Sequence, residues 1–351
     1  MQKVILNPTP VRTSENYGIN DLKVDLKIPK VKNFENYTII SSDVDKLKTY
    51  RVQSGDFRGE IYSDIGLTME QNFDLLIQVP DFTKIDETII LEFNFDEDND
   101  VLTDNIKILY GRQSEANFLI KYKSEGDEKH FHYLKQTTLG SADAKGTITI
   151  VNMLNNESDS IIAIENDLDR AANIDYTFID LGGKNKISNY HAKLEGNDSI
   201  NNFNNIYLGT DKELLDLNYN VELFGEKSNC EIDVQGAIKD SAKKNFKGTI
   251  DFKEGCKKAI GHENENCMVL SKEARSKSLP MLLCHEEDVD GAHGVASGKP
   301  DESKIFYMMT KGISYEDARR LLVKANLDKI VNLVDDENTK IEINDYINTK
   351  L

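Results

Sequence analysis

Thr147-Ile148-Thr149-Ile150-Val151, Ser160-Ile161-Ile162-Ala163-Ile164, Ile174-Asp175-Tyr176-Thr177-Phe178-Ile179 and Tyr190-His191-Ala192-Lys193-Leu194 follow one another between residues 147 and 194. Each run is short and rich in β-branched or aromatic residues, which is the composition of a strand. Similar runs precede them at 75–79, 88–93, 106–110 and 118–122, and others follow at 203–208, 217–223, 231–234 and 246–252. Gly, Asn, Asp and Ser stand between the runs, and these residues turn a chain at low cost. No helical periodicity longer than three turns interrupts the series, so a doubly wound sheet lacks its helices. Many short strands at a loose, regular spacing suit a β-solenoid, in which each coil buries its inward residues against the coils above and below. An irregular antiparallel sandwich is the alternative. In a solenoid Ile148, Ile150, Ile162 and Ile164 point inward, each stabilising the fold by roughly 1.5–3 kcal/mol on burial. Thr147, Thr149, Lys193 and Asp233 then leave one sheet face wet.

The flanks differ from this centre. Leu22, Val24, Leu26 and Ile28 alternate with Lys23, Asp25 and Lys27 up to Pro29, which ends a strand or confines it to an edge. Tyr37-Thr38-Ile39-Ile40 reads as a further strand. Beyond Gly298 the chain turns helical. Ile305, Met308 and Met309, with Phe306 beside them, form an apolar stripe, and Gly312 sits where a helix C-cap belongs. Ser314 is an N-cap, with Glu316 and Asp317 in the first turn. Ala318, Leu321, Leu322 and Ala325 follow at helical spacing, then Leu327, Ile330, Val331 and Val334. These shifts divide the chain into an N-terminal arm or cap (1–71), a β-helix core (72–298) and a C-terminal helical domain (299–351).

Acids outnumber bases 61 to 43 in the 351 residues, a net charge of −18. Such a chain repels nucleic acid and anionic lipid. No apolar run approaches the ~20 residues of a membrane span, and the N-terminus lacks the apolar core of a signal peptide. A cytoplasmic protein is expected. Cys230, Cys256, Cys267 and Cys284 form no C-x-x-C pair, so they read mainly as buried small apolar residues, with one or two of them candidates for metal or sulfur ligation.

The stretch 280–299 concentrates the chemistry. Cys284, His285, Glu286, Glu287, Asp288, Asp290 and His293 lie within ten residues, punctuated by Gly291, Gly294 and Gly298. If 284–290 is extended, Cys284, Glu286, Asp288 and Asp290 share one face and His285, Glu287 and Val289 the other. Imidazole and thiolate suit iron, zinc or copper(I), and carboxylates suit harder ions. A solvated acidic loop is the plainer reading. His293, between Ala292 and Gly294, leaves room for a second chain to approach its ring. His130 and His132 alternate on one strand face and read as a surface pair. Gly182-Gly183-Lys184 is a turn without the helix that a phosphate loop needs. No nucleophile elbow, Ser-His-Asp spacing or dinucleotide fingerprint is present, and the chain does not read as an enzyme.

Asp288-Val289-Asp290, His293-Gly294, Ile305-Phe306-Tyr307, Lys311-Gly312-Ile313 and the Ala- and Leu-rich stretch 318–325 stand in the order found at the C-terminal end of the SufB/SufD proteins of the SUF iron–sulfur cluster assembly system. The chain resembles that family there, most closely its SufD-like members, and more weakly at Thr9-Pro10-Val11-Arg12-Thr13. The resemblance implies a mainly β fold: a right-handed parallel β-helix core with an N-terminal arm and a C-terminal helical domain. It implies a non-catalytic scaffold that docks a SufC-type ATPase through its C-terminal helices, with Ile305, Phe306, Tyr307, Leu321 and Leu322 at that contact. It also implies pairing with a SufB-like chain along the last coils, where a transient iron–sulfur cluster forms. His293 matches the SufD-type interface histidine. A SufB-type cysteine falls near Glu265, two residues from Cys267, so Cys267 and Cys284 are secondary candidates for metal or cluster. The alternative is a self-sufficient homodimeric cluster carrier, pairing with a second copy of itself.

Overall fold

A computed structural model describes residues 2–13, 15–41, 43–51 and 65–351. Inward-facing apolar residues on successive runs stack into eight coils of two parallel strands each. One sheet holds β6 (Ile89–Phe95), β8 (Glu115–Ser124), β10 (Lys145–Met153), β12 (Asn173–Asp180), β14 (Ile200–Gly209), β16 (Asn229–Ile238), β18 (Ile260–Val269) and β20 (Asp290–Gly298). The facing sheet holds β5 (Phe73–Val79), β7 (Val101–Tyr110), β9 (Phe131–Gly140), β11 (Asp159–Leu168), β13 (Asn185–Leu194), β15 (Leu214–Leu223), β17 (Lys243–Phe252) and β19 (Arg275–Cys284). Asp159 pairs with Asn185, and Asn185 with Leu214, so a coil takes 26 to 29 residues there. The sandwich alternative is excluded by this parallel stacking. At the other end β3 (Tyr37–Ile40) and β4 (Lys48–Arg51) pair antiparallel with β6 and β5 and close the first coil.

The corners stack as regularly as the strands. Asp143, Ala171, Asp198 and Lys227 have positive φ, and each donates its N–H to a carbonyl of the next corner along. Asp accepts this conformation readily. At Gly225 a Cβ would lie 2.0 Å from the Gly196 carbonyl oxygen, so only glycine permits this spacing of coils. Inside, Ile148, Ile150, Ile162 and Ile164 are buried as expected, beside a run of rings through Tyr176, Tyr190, Phe203, Tyr219 and Phe246.

Two expectations change. The outer sheet face is wet only in part: Thr147 and Lys193 are half-buried. Thr149 and Asp233 are buried, because helices cover the β10–β18 face. There Val151, Ile179, Leu181, Ile206 and Leu208 meet Val323, Leu327, Ile330, Val331 and Ile347. On the opposite sheet the hairpin of β1 (Gln2–Leu6) and β2 (Leu22–Leu26) packs Leu6, Leu22 and Leu26 over Ile161, Ala163 and Ile187. His130 and His132 are interior, not surface, residues. His132 Nε2 lies 3.1 Å from Asp104, which accepts from the Tyr122 hydroxyl at 2.6 Å, and both histidines pack on Phe95.

The C-terminal region is α1 (Glu302–Thr310), α2 (Tyr315–Val331) and α3 (Glu337–Lys350). Asp301, Ser314 and Asp336 cap them, each accepting backbone N–H groups of the first turn. Gly312 has φ +92 just past α1, as its position predicted. Ser314→Ala is expected to cost about 1 kcal/mol, read as a lower melting temperature by circular dichroism. The seam that buries α2 runs through Ala318, Val323, Leu327, Ile330 and Val331, whereas Leu321 points outward. Among the described residues no helix is long and apolar enough to cross a membrane.

Candidate functional site

The last coil is the open end of the solenoid. β20 is the edge of its sheet and β19 the edge of the other. β20 is exposed along nearly its whole length, because its inner face has no further coil to meet. His293 lies on it, in register with Glu263 of β18. In-register neighbours in a parallel sheet point to the same side. Glu263 is interior, so the His293 ring starts from the lumen side of the open coil.

Neither cysteine joins it. Cys267 is buried on β18 and pairs with Ser297, four residues beyond His293, or roughly 13 Å along the strand. Burial holds its thiol above the ordinary range despite the nearby Lys244 ammonium, so it is not a ready thiolate. Cys284 is exposed at the end of β19 and stacks on Phe252. Across the lumen the Glu263 carboxylate lies against Gly248, where a Cβ would sit 2.1 Å from its oxygen, and Gly248 stacks on Pro280. Pro280 therefore stands opposite His293, and Cys284 is four residues further on. Cys230 and Cys256 are buried.

The extended reading of 284–290 is corrected as well. β19 stops at Cys284, a turn occupies 285–289 and β20 starts at Asp290. Glu286 organises that turn by accepting the N–H groups of Gly255 at 3.1 Å and Glu287 at 3.0 Å, contacts that lower its pKa. His285 turns toward Asp251 at 3.6 Å and His262 toward Asp290 at 3.7 Å. Among the described residues no three His, Cys, Asp or Glu side chains come together as a metal site.

Beneath His293 lies a charged interior that the sequence reading did not find. Lys244 and Glu265, both fully buried, pair at 2.6 Å. Tyr207 donates to Glu265 at 2.7 Å and Ser278 at 2.8 Å. Glu263, two residues away and 0% exposed, has no hydrogen-bond partner for either carboxylate oxygen among the described residues. Burial, then the Glu265 charge, pushes its pKa up to about 8. In the unfolded chain the group ionises near 4.5, the ordinary value for a glutamate. Between these values the folded state holds the extra proton, so this group's contribution to stability falls as pH rises from about 4.5 to about 8. Glu263→Gln removes that dependence. Its melting temperature is expected to match wild type near pH 4 and to exceed it increasingly toward pH 8, by an amount on the order of a few kcal/mol in stability.

The helices present the second candidate surface. Ile305 is buried inside the module. Phe306 is 68% exposed and Tyr307 63%, with Met309, Tyr315 and Leu321 also exposed. Leu322 is half-buried. Arg319 of α2 donates to the Leu270 carbonyl at 2.8 Å, Asn266 contacts Asn326 at 3.3 Å, and Lys329 pairs with Asp233. The helical face is thereby anchored to β16 and to the end of the strand that carries Glu263 and Glu265.

A parallel β-solenoid with an open last coil and an anchored helical module defines the class of protein. The family model for the SUF system FeS cluster assembly SufBD core domain matches residues 93–326, and the chain belongs to this SufB/SufD family. The iron–sulfur cluster assembly protein SufD of Bacillus subtilis (strain 168) is 28% identical over 165 residues, covering 47% of this chain and 38% of that protein. SufD of Escherichia coli (strain K12) is 24% identical over 233 residues, covering 66% and 54%. A SufBD-family iron–sulfur cluster assembly protein of Pyrococcus horikoshii is 29% identical over 156 residues, covering 44% and 34%. The matches span about half of these relatives' lengths or less. Within the family the chain is a SufD-like member.

Proposed function

We propose that this chain is a non-catalytic scaffold subunit of iron–sulfur cluster assembly that works in the cytoplasm. It pairs with a SufB-like chain at its open last coil and holds a SufC-type ATPase on the exposed face of α1 and the start of α2. The cluster is cargo, formed transiently where the two scaffolds meet. The observation that carries this reading is the exposed edge strand β20 with His293 upon it. An edge strand offers unpaired backbone groups to another chain. With Cys267 and Cys284 each about four residues from its register position, His293 supplies one imidazole, and the remaining cluster ligands come from the partner. The contacts of α2 with β16 and β18 support a path by which ATPase movement reaches the last coils.

The test is to mix the purified chain with SufC-type and SufB-like proteins and measure the mass of the product in solution. A stable assembly containing all three is expected. A chain that forms a self-associated dimer and ignores both partners supports the homodimeric carrier instead.

A further inference from the structure

We propose that the loop between β1 and β2 forms a rim of the open last coil, and that this rim, through Tyr17 and Val11, binds the second scaffold chain that pairs there. The proposal rests on the reading of the open coil as a pairing surface and adds to it a segment from the other end of the sequence. The loop does not hang free. At its start Asn7 is fully buried, with its side-chain nitrogen 3.0 Å from the carbonyl oxygens of Ser188 and Asp216 and 2.8 Å from the Asp216 carboxylate. Asn189 donates to the Asn7 side-chain oxygen at 2.9 Å, the buried Lys247 ammonium to the Asn7 carbonyl at 2.7 Å, and Asn218 to the Pro8 carbonyl at 2.8 Å. Asn7 has φ +56, a conformation that asparagine accepts more readily than most residues. This plug spans β13, β15 and β17 and sets the direction in which the chain leaves β1. A loop fastened in this way has already lost much of the freedom that binding would otherwise cost.

Further along, the loop reaches the edge of the solenoid. Lys277 of β19 is in register with Asn245 of β17, whose side chain reaches Asp216 on the outer face, so Lys277 points outward too. Its ammonium donates to the Tyr17 carbonyl at 2.8 Å and lies 5.2 Å from the centre of the Tyr17 ring. The 3-10 turn Glu15–Tyr17 buries none of its residues, and Tyr17 is 46% and Val11 41% exposed. β19 is the free edge of its sheet. A strand added to it lies roughly 4.8 Å away. The outward side chain opposite Lys277 then arrives beside Tyr17, since facing residues on adjacent strands have Cβ atoms about 4.5–5.5 Å apart. The occupant is therefore the chain that continues this sheet. Its residue opposite Lys277 is apolar or aromatic, to cover the Tyr17 ring, and not basic, since like charges placed opposite each other repel.

Calorimetric titration of a SufB-like protein into the purified chain, with light scattering on the mixture, tests this. Tyr17→Ala is expected to weaken pairing by about 10-fold or more, as loss of an aromatic anchor at an interface does, and adding Val11→Ala weakens it further. Both side chains are well exposed, so the circular dichroism melt stays where it is. Docking of a SufC-type ATPase stays unchanged as well. Phe82→Ala is the control: its ring is 69% exposed between β5 and β6 in the first coil, away from the open end, and its loss leaves pairing intact. If Tyr17→Ala alters the melt, Val11→Ala is read under the same criterion. Wild type that pairs, with the Tyr17→Ala and Val11→Ala double variant pairing equally well, overturns the proposal and leaves the scaffold reading standing. An equal loss with Phe82→Ala overturns it too. Wild type that binds no SufB-like chain overturns both readings, and a homodimer lost with Tyr17→Ala assigns the rim to a second copy instead of the partner named here.

Discussion

Phe306→Ala combined with Tyr307→Ala is expected to weaken docking of a SufC-type ATPase by about 100-fold or more, since buried aromatic anchors at interfaces commonly each contribute about 2 kcal/mol or more. Both side chains are more than half exposed in the chain by itself. Their removal therefore leaves its own packing intact, and the circular dichroism melt should not shift. Neighbouring Ile305 provides the contrast. It is buried, so Ile305→Ala is expected to lower stability by about 2–5 kcal/mol through the cavity it leaves. Leu321→Ala, at the edge of the same exposed face, should have a smaller effect on docking. Calorimetric titration of the ATPase into each variant separates these cases. Undiminished binding by the double variant would remove the helical face from the account.

The largest expected effect on stability lies under the last coil. Lys244→Met leaves the buried Glu265 carboxylate with hydrogen-bond donors but no counter-charge. Breaking one side of a buried pair costs about 3–5 kcal/mol. Adding Glu265→Gln removes the orphaned charge and keeps one carbonyl oxygen to accept from Tyr207, while its amide can donate to the Ser278 hydroxyl, so the double variant should recover much of that loss. Chemical denaturation of the three proteins measures both changes. A Lys244→Met variant within about 0.5 kcal/mol of wild type, the range usual for surface changes, would mean that the pair is not formed in solution.

The solenoid was legible because its signal is repeated: one strand-like run after another between 147 and 194, with turn residues between. What covers the sheets was less so. Thr149 and Asp233 look like wet positions until α2 is placed over them, and strand alternation alone cannot say which outer face is capped. α2 carries two apolar stripes, one through Leu321 and Leu322 and one through Val323, Leu327 and Ile330. Helical spacing does not choose which of them docks. α3 is legible only as part of the helical region 299–351, with no boundary of its own. Its Ile, Asn and Thr content is weak for a helix, and packing of Ile343 and Ile347 onto the sheet, with Tyr346 donating to the Leu154 carbonyl at 2.5 Å, overrides that preference.

At the site, His293 stood out through its small neighbours and its place in an ordered motif. Glu263 and Glu265 did not, because Gly261-His262-Glu263-Asn264-Glu265-Asn266 is polar on both faces of the strand. No alternation there marks an inside. Lys244, Tyr207 and Ser278 reach Glu265 from other coils, and only the coil register brings them together. His132 was misplaced for the same reason: its partners, Asp104 and Tyr122, are residues of other strands.

The most direct test of the scaffold assignment is the solution mass of the purified wild-type chain mixed with a SufB-like protein and a SufC-type ATPase, measured by size-exclusion chromatography with light scattering. The account predicts one complex in which this chain is bound to both. Elution of the chain apart from both proteins, at the mass it shows alone, would contradict it.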